Sequence, residues 1–318
     1  MEILCAGGLV GVPTETVYGL AADACNAAAL ERLYQAKGRP RAHPVIVHLA
    51  GIGELDRWAR DVPPDALKLA EAFWPGPLTV VLKRAQAVLD EVTGGADTIA
   101  VRVPGHPLTR GLLEAFAEAL AGRPAGLAAP SANKFGKLSP TTAAHVAADL
   151  GTAVDLVLDG GPCEVGIEST IVDLSGDEPA LLRPGGLARA QIESALGREL
   201  SDPSAGAPRV PGSLALHYAP RAKLQLATRL QIIEALATNR SRRIAVLALE
   251  VSVPRLPALL SVVMPAVAAP YARALYANLR TLDATGADII LVEVPPDTPA
   301  WAAVRDRIRR AEATPGKR

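Results

Sequence analysis

The chain has 318 residues, 49% hydrophobic and 21% charged, enough for two domains of ordinary size, each with its own core. Its 33 Lys and Arg balance 33 Asp and Glu, which excludes the global positive field that drives non-specific nucleic-acid binding and leaves only a local basic groove open. Three cysteines, Cys5, Cys25 and Cys163, lie far apart with no C-x-x-C and no His at ligand spacing, so neither a zinc site nor a disulfide framework is expected and the reading is a reducing, cytoplasmic compartment.

The first residues lack the charged start and apolar core of a signal peptide. The longest apolar stretch, 259–269, is broken by Pro265 and falls short of the ~20 residues that span a bilayer, so no membrane span is expected. From there the chain alternates apolar runs with helix-period segments, the pattern of a layered α/β domain. Runs rich in Val, Ile and Leu, bounded by Gly or Pro, predict strands at 9–14, 44–50, 78–83, 98–103, 126–131, 154–159, 169–174 and 180–185. Helices are predicted at 26–36 with Asn26 as N-cap, at 65–74 stopped by Pro75-Gly76, and at 108–120, 142–150 and 188–196.

A Pro, Gly and Ser-dense tract then separates two domains: 1–200, a linker over 201–222, and 223–318. The last reads strand (223–227), helix (230–238), strand (243–249), helix (271–285), strand (289–294), helix (300–311), a small Rossmann-like unit. It holds neither G-x-G-x-x-G nor a P-loop, so alternation alone does not make it a nucleotide site.

Polar residues at strand ends carry the chemistry. Thr14, Glu15, Thr16 and Tyr18 follow the first strand, suiting either a hydroxyl-rich turn or a contact to a small polar ligand. Lys37, Arg39 and Arg41, with His43 on a Gly/Pro-stiffened loop, suit phosphate oxygens or a solvated surface. Arg102 lies in an apolar strand beside Thr98 and needs an anion if buried, from a ligand or an internal salt bridge. Ala129, Ser131, Asn133 and Ser139 line a strand-to-loop passage, and Ser169 and Arg183 add a hydroxyl and a cation. His106 and His145 read as a turn residue and a helix-surface residue, and the C-terminal arginines as a solvated helix face.

In this order, PTETVYGL, K-x-R-P, WPGPLTVVL, TIAVRVPGHP, APSAN, GIESTIVD, LLRPGG and PGSLALHYAP resemble the threonylcarbamoyl-AMP synthase family in its long, two-domain form. The resemblance spans nearly the whole chain. It implies a YrdC-like twisted open mixed sheet with flanking helices and a concave cleft, followed by the Rossmann-like accessory domain. It also implies an enzyme that condenses L-threonine, bicarbonate and ATP, with Mg²⁺, into threonylcarbamoyl-AMP and pyrophosphate. A tRNA-modifying transferase complex would receive the adenylate and carry the group to the adenosine beside the anticodon, with at most weak tRNA contact.

By that resemblance Thr16, His48, Arg102, Ala129 and Ser169 hold threonine, while Lys37, Arg39, His43, Thr98, Ser131, Asn133, Ser139 and Arg183 face ATP. Lys37, Arg39, Ser131 and Asn133 form the family's catalytic motif, Tyr218 in the linker closes over the nucleotide, and no protein side chain ligates the metal. His43 stands where the family has Asn, and the helix that normally precedes Gly7 is nearly absent. The weighed rivals are a non-catalytic RNA-binding or ribosome-maturation module, and a carbamoyl adenylate as in hydrogenase-maturation relatives, whose zinc-finger cysteines do not occur here.

Overall fold

The computed structural model describes residues 1–204, 206–212, 217–238, 241–249 and 260–312. The chain divides into two compact units, Met1–Phe135 with Pro140–Ser213, and Gly136–Ser139 with Leu214–Arg318. Much of the predicted linker forms no regular element, and its residues 205 and 213–216 lie outside the described residues.

The first unit is built on nine strands: β1 (Val10–Val12), β2 (Gly19–Asp23), β3 (Ile46–His48), β4 (Leu78–Lys83), β5 (Thr98–Arg102), β6 (Leu127–Ala128), β7 (Leu156–Val157), β8 (Thr170–Asp173) and β9 (Ala180–Arg183). Their spatial order is β7-β1-β2-β6-β3-β5-β4-β8-β9, a mixed sheet in which β3 runs parallel to β5 and β4 to β8. Helices α1 (Glu2–Cys5), α2 (Ala27–Lys37), α3 (Leu55–Trp58), α4 (Pro64–Phe73), α5 (Asp90–Thr93), α6 (Pro107–Ala119), α7 (Ala143–Leu150) and α8 (Arg189–Leu196) complete it. One apolar core joins Leu30 and Leu33 of α2 and Leu69 of α4 to Leu20, Val47, Val80 and Val101 of the strands, all fully buried; a second holds Val10, Leu113 and Phe116. Burying such side chains contributes ~1.5–3 kcal/mol each.

Helix α2 shows how local sequence places a functional cation. Asn26 caps it, its Oδ1 accepting from the amides of Ala28 and Ala29 at 3.0 and 3.2 Å. Gly38 ends it in the left-handed region at φ 60°, where a Cβ is penalised. Lys37 is therefore the last helical residue, and its side chain is 2% exposed.

The strand predicted over 126–131 is confined to two residues, because Pro130 has no amide to continue a ladder. The elements α1, α3, α5, β2 and, later in the chain, β12 add to those predicted. His106 caps α6, its Nδ1 accepting from the Leu108 amide at 3.2 Å, rather than standing in a free turn. His145 is half-buried, its Nδ1 accepting from the Thr141 amide.

The second unit carries β10 (Lys223–Ala227), β11 (Ile244–Ala248), β12 (Ser261–Val263) and β13 (Ile289–Glu293), all parallel in the order β10-β13-β11-β12. Helices α9 (Arg229–Thr238), α10 (Ala268–Ala284) and α11 (Ala302–Glu312) lie among them. Buried Ile232, Val246, Ile289 and Leu291 form a core of its own. No helix among the described residues is long and apolar enough to cross a membrane.

Candidate active site

Arg102 ends β5 at 3% exposure, and every contact it makes is to a residue that the sequence sets at a loop or strand end. Its Nη2 donates to Glu15 Oε1 at 2.5 Å, its Nη1 to Thr16 Oγ1 at 2.9 Å and its Nε to the Gly76 carbonyl at 3.0 Å. The anion that a buried strand arginine requires is thus internal. A guanidinium has five N–H groups, and three are engaged, so two remain for a ligand. Glu15 is fixed in turn by the Gly105 amide, which donates to Oε2 at 2.9 Å. Burial of its carboxyl works against ionisation, yet the adjacent Arg102 prevails and the pKa lies below the ordinary carboxylate value.

The hydroxyls behind Arg102 have a defined direction. Thr14 donates its only proton to the Val17 carbonyl at 2.7 Å, so Thr16, 2.8 Å away, is the donor to Thr14 Oγ1. With that proton committed and one lone pair facing Arg102, Thr16 can still accept a hydrogen bond but cannot donate one. His48, paired with Arg102 across β3 and β5, is 4% exposed and its Nδ1 has no hydrogen-bond partner among the described residues. Burial, then the Arg102 charge, pushes its pKa down to about 3, so the ring is neutral at physiological pH.

Lys37 donates to the carbonyls of Ser131 and Asn133 at 2.5 and 2.6 Å. It fastens the polar loop after β6 to the end of α2, while burial and then the neighbouring Arg39 hold its pKa well below the usual lysine value. The same loop is tied to β2 through a bridge between Gly19 and Ser131, and Ala129 donates to the Ile46 carbonyl at 3.0 Å. Arg39, 7% exposed, donates to the carbonyls of His43 and Pro44 at 3.3 and 2.7 Å and lies 5.5 Å from the Phe135 ring centroid. The His43 ring meets the same Phe135 edge-on at 5.3 Å. Burial, Arg39 and Arg209 lower its pKa, so the titration expected near the ordinary histidine value is displaced to lower pH.

At the far strands, Arg183 donates to the Ser169 carbonyl at 2.8 Å, to Ser169 Oγ at 3.1 Å and to the Pro211 carbonyl at 2.7 Å. Ser169 Oγ also lies 2.7 Å from Thr79 Oγ1. The W-P-G-P segment links this cluster to the Arg102 cluster: Gly76 accepts from Arg102, and Pro77 accepts from the Thr170 amide at 3.0 Å.

Direct contacts therefore gather Thr16 with Arg102, Lys37 with Ser131 and Asn133, Arg39 with His43, and Ser169 with Arg183. Thr98 stands apart. It begins β5, four residues before Arg102, hence ~13 Å away along an extended strand. Ser139 and Tyr218 belong to the second unit. There the carbonyls of Leu138 and Ser139 accept from Arg280 at 2.5 and 3.4 Å. Tyr218 sits at φ 60° with its ring 5.3 Å from the Arg307 guanidinium carbon. In the sequence Glu15 stands only as part of a polar segment that suits a ligand contact, with no place in the threonine or ATP set, and Gly76, Thr79 and Phe135 are not singled out. Only Glu15 has a sequence signal, a carboxylate amid hydroxyls in a chain whose strand arginine needs an anion.

Comparison with known proteins identifies the family. Residues 2–185 match the Sua5/YciO/YrdC family model, described as telomere recombination, and residues 187–313 match the threonylcarbamoyl-AMP synthase C-terminal domain. A threonylcarbamoyl-AMP synthase of Pyrococcus abyssi is 39% identical over 318 residues, covering 96% of this chain and 90% of the relative. One of Bacillus subtilis is 39% identical over 317 residues, covering 95% and 89%. The crystal structure of P. abyssi Sua5 complexed with L-threonine superposes with a TM-score of 0.88 at 37% identity, over 98% of this chain and 92% of that one. With both domains matched in sequence and fold, the chain belongs to the threonylcarbamoyl-AMP synthase family, in its long two-domain form.

Proposed function

We propose that this enzyme condenses L-threonine, bicarbonate and ATP into L-threonylcarbamoyl-AMP and pyrophosphate in the cytoplasm, for transfer by a tRNA-modifying complex to the adenosine beside the anticodon. The observation that carries this reading is Arg102, buried between Thr16 and the neutral His48 with two N–H groups to spare, in a fold whose relative was solved with L-threonine. Those two N–H groups bind the threonine carboxylate as a fork. Thr16, able only to accept, takes a hydrogen bond from the threonine amine or hydroxyl. The neutral His48 adds no second positive charge, and Ala129 and Ser169 line the remaining sides.

Threonine's ammonium group first loses a proton, and carboxylation of the neutral amine by bicarbonate then gives a carbamate with loss of water. A carbamate oxygen then attacks the α-phosphorus of ATP, and the bond to pyrophosphate breaks. Two anions must approach, so the cations Lys37, Arg39 and Arg183 offset their repulsion and stabilise the departing charge. Lys37 also keeps Ser131 and Asn133 in place beside the phosphates, with His43 and Thr98 along the nucleotide. No side chain is required as a nucleophile; catalysis rests on positioning and exclusion of water from a labile carbamate. Among the described residues no three His, Cys, Asp or Glu gather as a metal cage; Mg²⁺ is proposed to come with the substrate phosphates. Bound there, Mg²⁺ would supply charge neutralisation.

Mass spectrometry of reactions quenched after addition of ¹³C-bicarbonate tests this reading. The expected product is threonylcarbamoyl-AMP that carries the label in its carbamoyl carbon. Unconsumed ATP together with RNA retention by the protein would instead support the binding-module reading.

A further inference from the structure

We infer that Glu15 is the positioning residue of the threonine site, acting through Arg102 rather than on the substrate; this rests on the reading of Arg102 as the carboxylate anchor. Its two oxygens serve different donors. Oε1 accepts from Arg102 Nη2 at 2.5 Å and Oε2 from the Gly105 amide at 2.9 Å. Gly105 follows β5 by three residues, so Glu15 braces the guanidinium against the backbone of the strand that carries it. Space around this brace is limited, since a Cβ built on Gly105 would lie 3.3 Å from the Glu15 carboxyl carbon.

An arginine side chain has four rotatable bonds, and ordering it costs conformational entropy. Here that ordering is complete before substrate arrives. Gly76 fixes Nε, Thr16 fixes Nη1 and Glu15 fixes Nη2, so the two unused N–H groups have one orientation. The side chains of Arg102 and Glu15 are 4% and 12% exposed, and the carboxylate also cancels a charge that would otherwise be buried alone. A neutral amide cannot do the same, because glutamine offers its one oxygen to one of the two donors and would turn its NH₂ against the other.

The test compares threonine and ATP dependence of pyrophosphate release for the parent, Glu15→Gln, Arg102→Ala and the double variant. Loss of one charge-assisted hydrogen bond predicts a threonine KM raised ~10-fold or more in Glu15→Gln. The KM for ATP and the kcat at saturating threonine should stay within about twofold. In the Arg102→Ala background, Glu15→Gln should add less than about twofold, because a residue acting through Arg102 has nothing left to act on. Glu15→Asp, whose shorter arm cannot span both donors, should repeat the Gln result and decides the matter if the Gln variant does not fold. The inference is overturned if Glu15→Gln and Glu15→Asp leave the threonine KM unchanged, if they raise both KM values alike, or if the effect persists fully without Arg102. Should Arg102→Ala itself titrate threonine normally, the anchor reading fails first, a result separate from failure of the brace alone.

Discussion

At the residue scale the site is a set of buried cations whose neutralisation differs from one to the next. Arg102 faces a carboxylate, whereas Lys37 faces two carbonyl dipoles. His48 illustrates what burial beside a cation does to a titratable group. Its pKa, pushed down to about 3, lies below the ordinary value of 6.5, so between these limits the unfolded chain binds a proton that the folded chain refuses. Its contribution to stability is present above pH 6.5 and declines as pH falls toward 3, at ~1.4 kcal/mol per pH unit for one proton. Glu15, also depressed, adds its own loss below the ordinary carboxylate value of 4.5. Urea midpoints between pH 7 and 5 should therefore fall more steeply for the parent than for His48→Gln; parallel slopes would show that His48 takes up its proton normally. Arg102→Ala belongs to this scale as well. Removing the anchor should abolish saturation by threonine across a range that saturates the parent, and an unchanged titration curve would move the carboxylate elsewhere.

At the element scale, function depends on how closely strand ends approach one another. Gly185 follows β9 where a Cβ would sit 2.4 Å from the Glu168 carbonyl oxygen, the Ser169 carbonyl carbon and the Thr170 amide nitrogen. These are backbone atoms, so no side chain can swing aside. Gly185→Ala should force β8 and β9 apart, displace Ser169 and Arg183, and cost ~1–3 kcal/mol in a denaturant midpoint. Gly176→Ala, in a turn with nothing within 4 Å of the added carbon, serves as the control. A Gly185→Ala protein as stable as that control would contradict the close packing described.

Most of these elements were legible in the sequence. Runs such as L-T-V-V-L-K at 78–83 and K-L-Q-L-A at 223–227 coincide with β4 and β10, because β4 is buried almost throughout and β10 alternates polar with apolar residues on a pleated surface. The strand β2, G-L-A-A-D, escaped because Ala and Gly carry little β preference and its order comes from partners on both sides, β1 and β6. The site was legible as residue types and family spacing. Its connectivity was not, since contacts such as Glu15 to Arg102 join positions 87 residues apart, and Gly76 enters only through its carbonyl, which no side-chain pattern records.

At the scale of the whole molecule, both family domains are present and the fold matches a relative solved with L-threonine over 98% of this chain. The second unit repeats the parallel Rossmann-like pattern that its alternation predicted. The balance of 33 acidic and 33 basic residues agrees with small anionic substrates bound in a local cleft better than with broad RNA binding. The most direct measurement is pyrophosphate release by the full chain from ATP and Mg²⁺, with threonine and bicarbonate omitted in turn. The account predicts release that requires both; release indifferent to either, or none with both present, would contradict it.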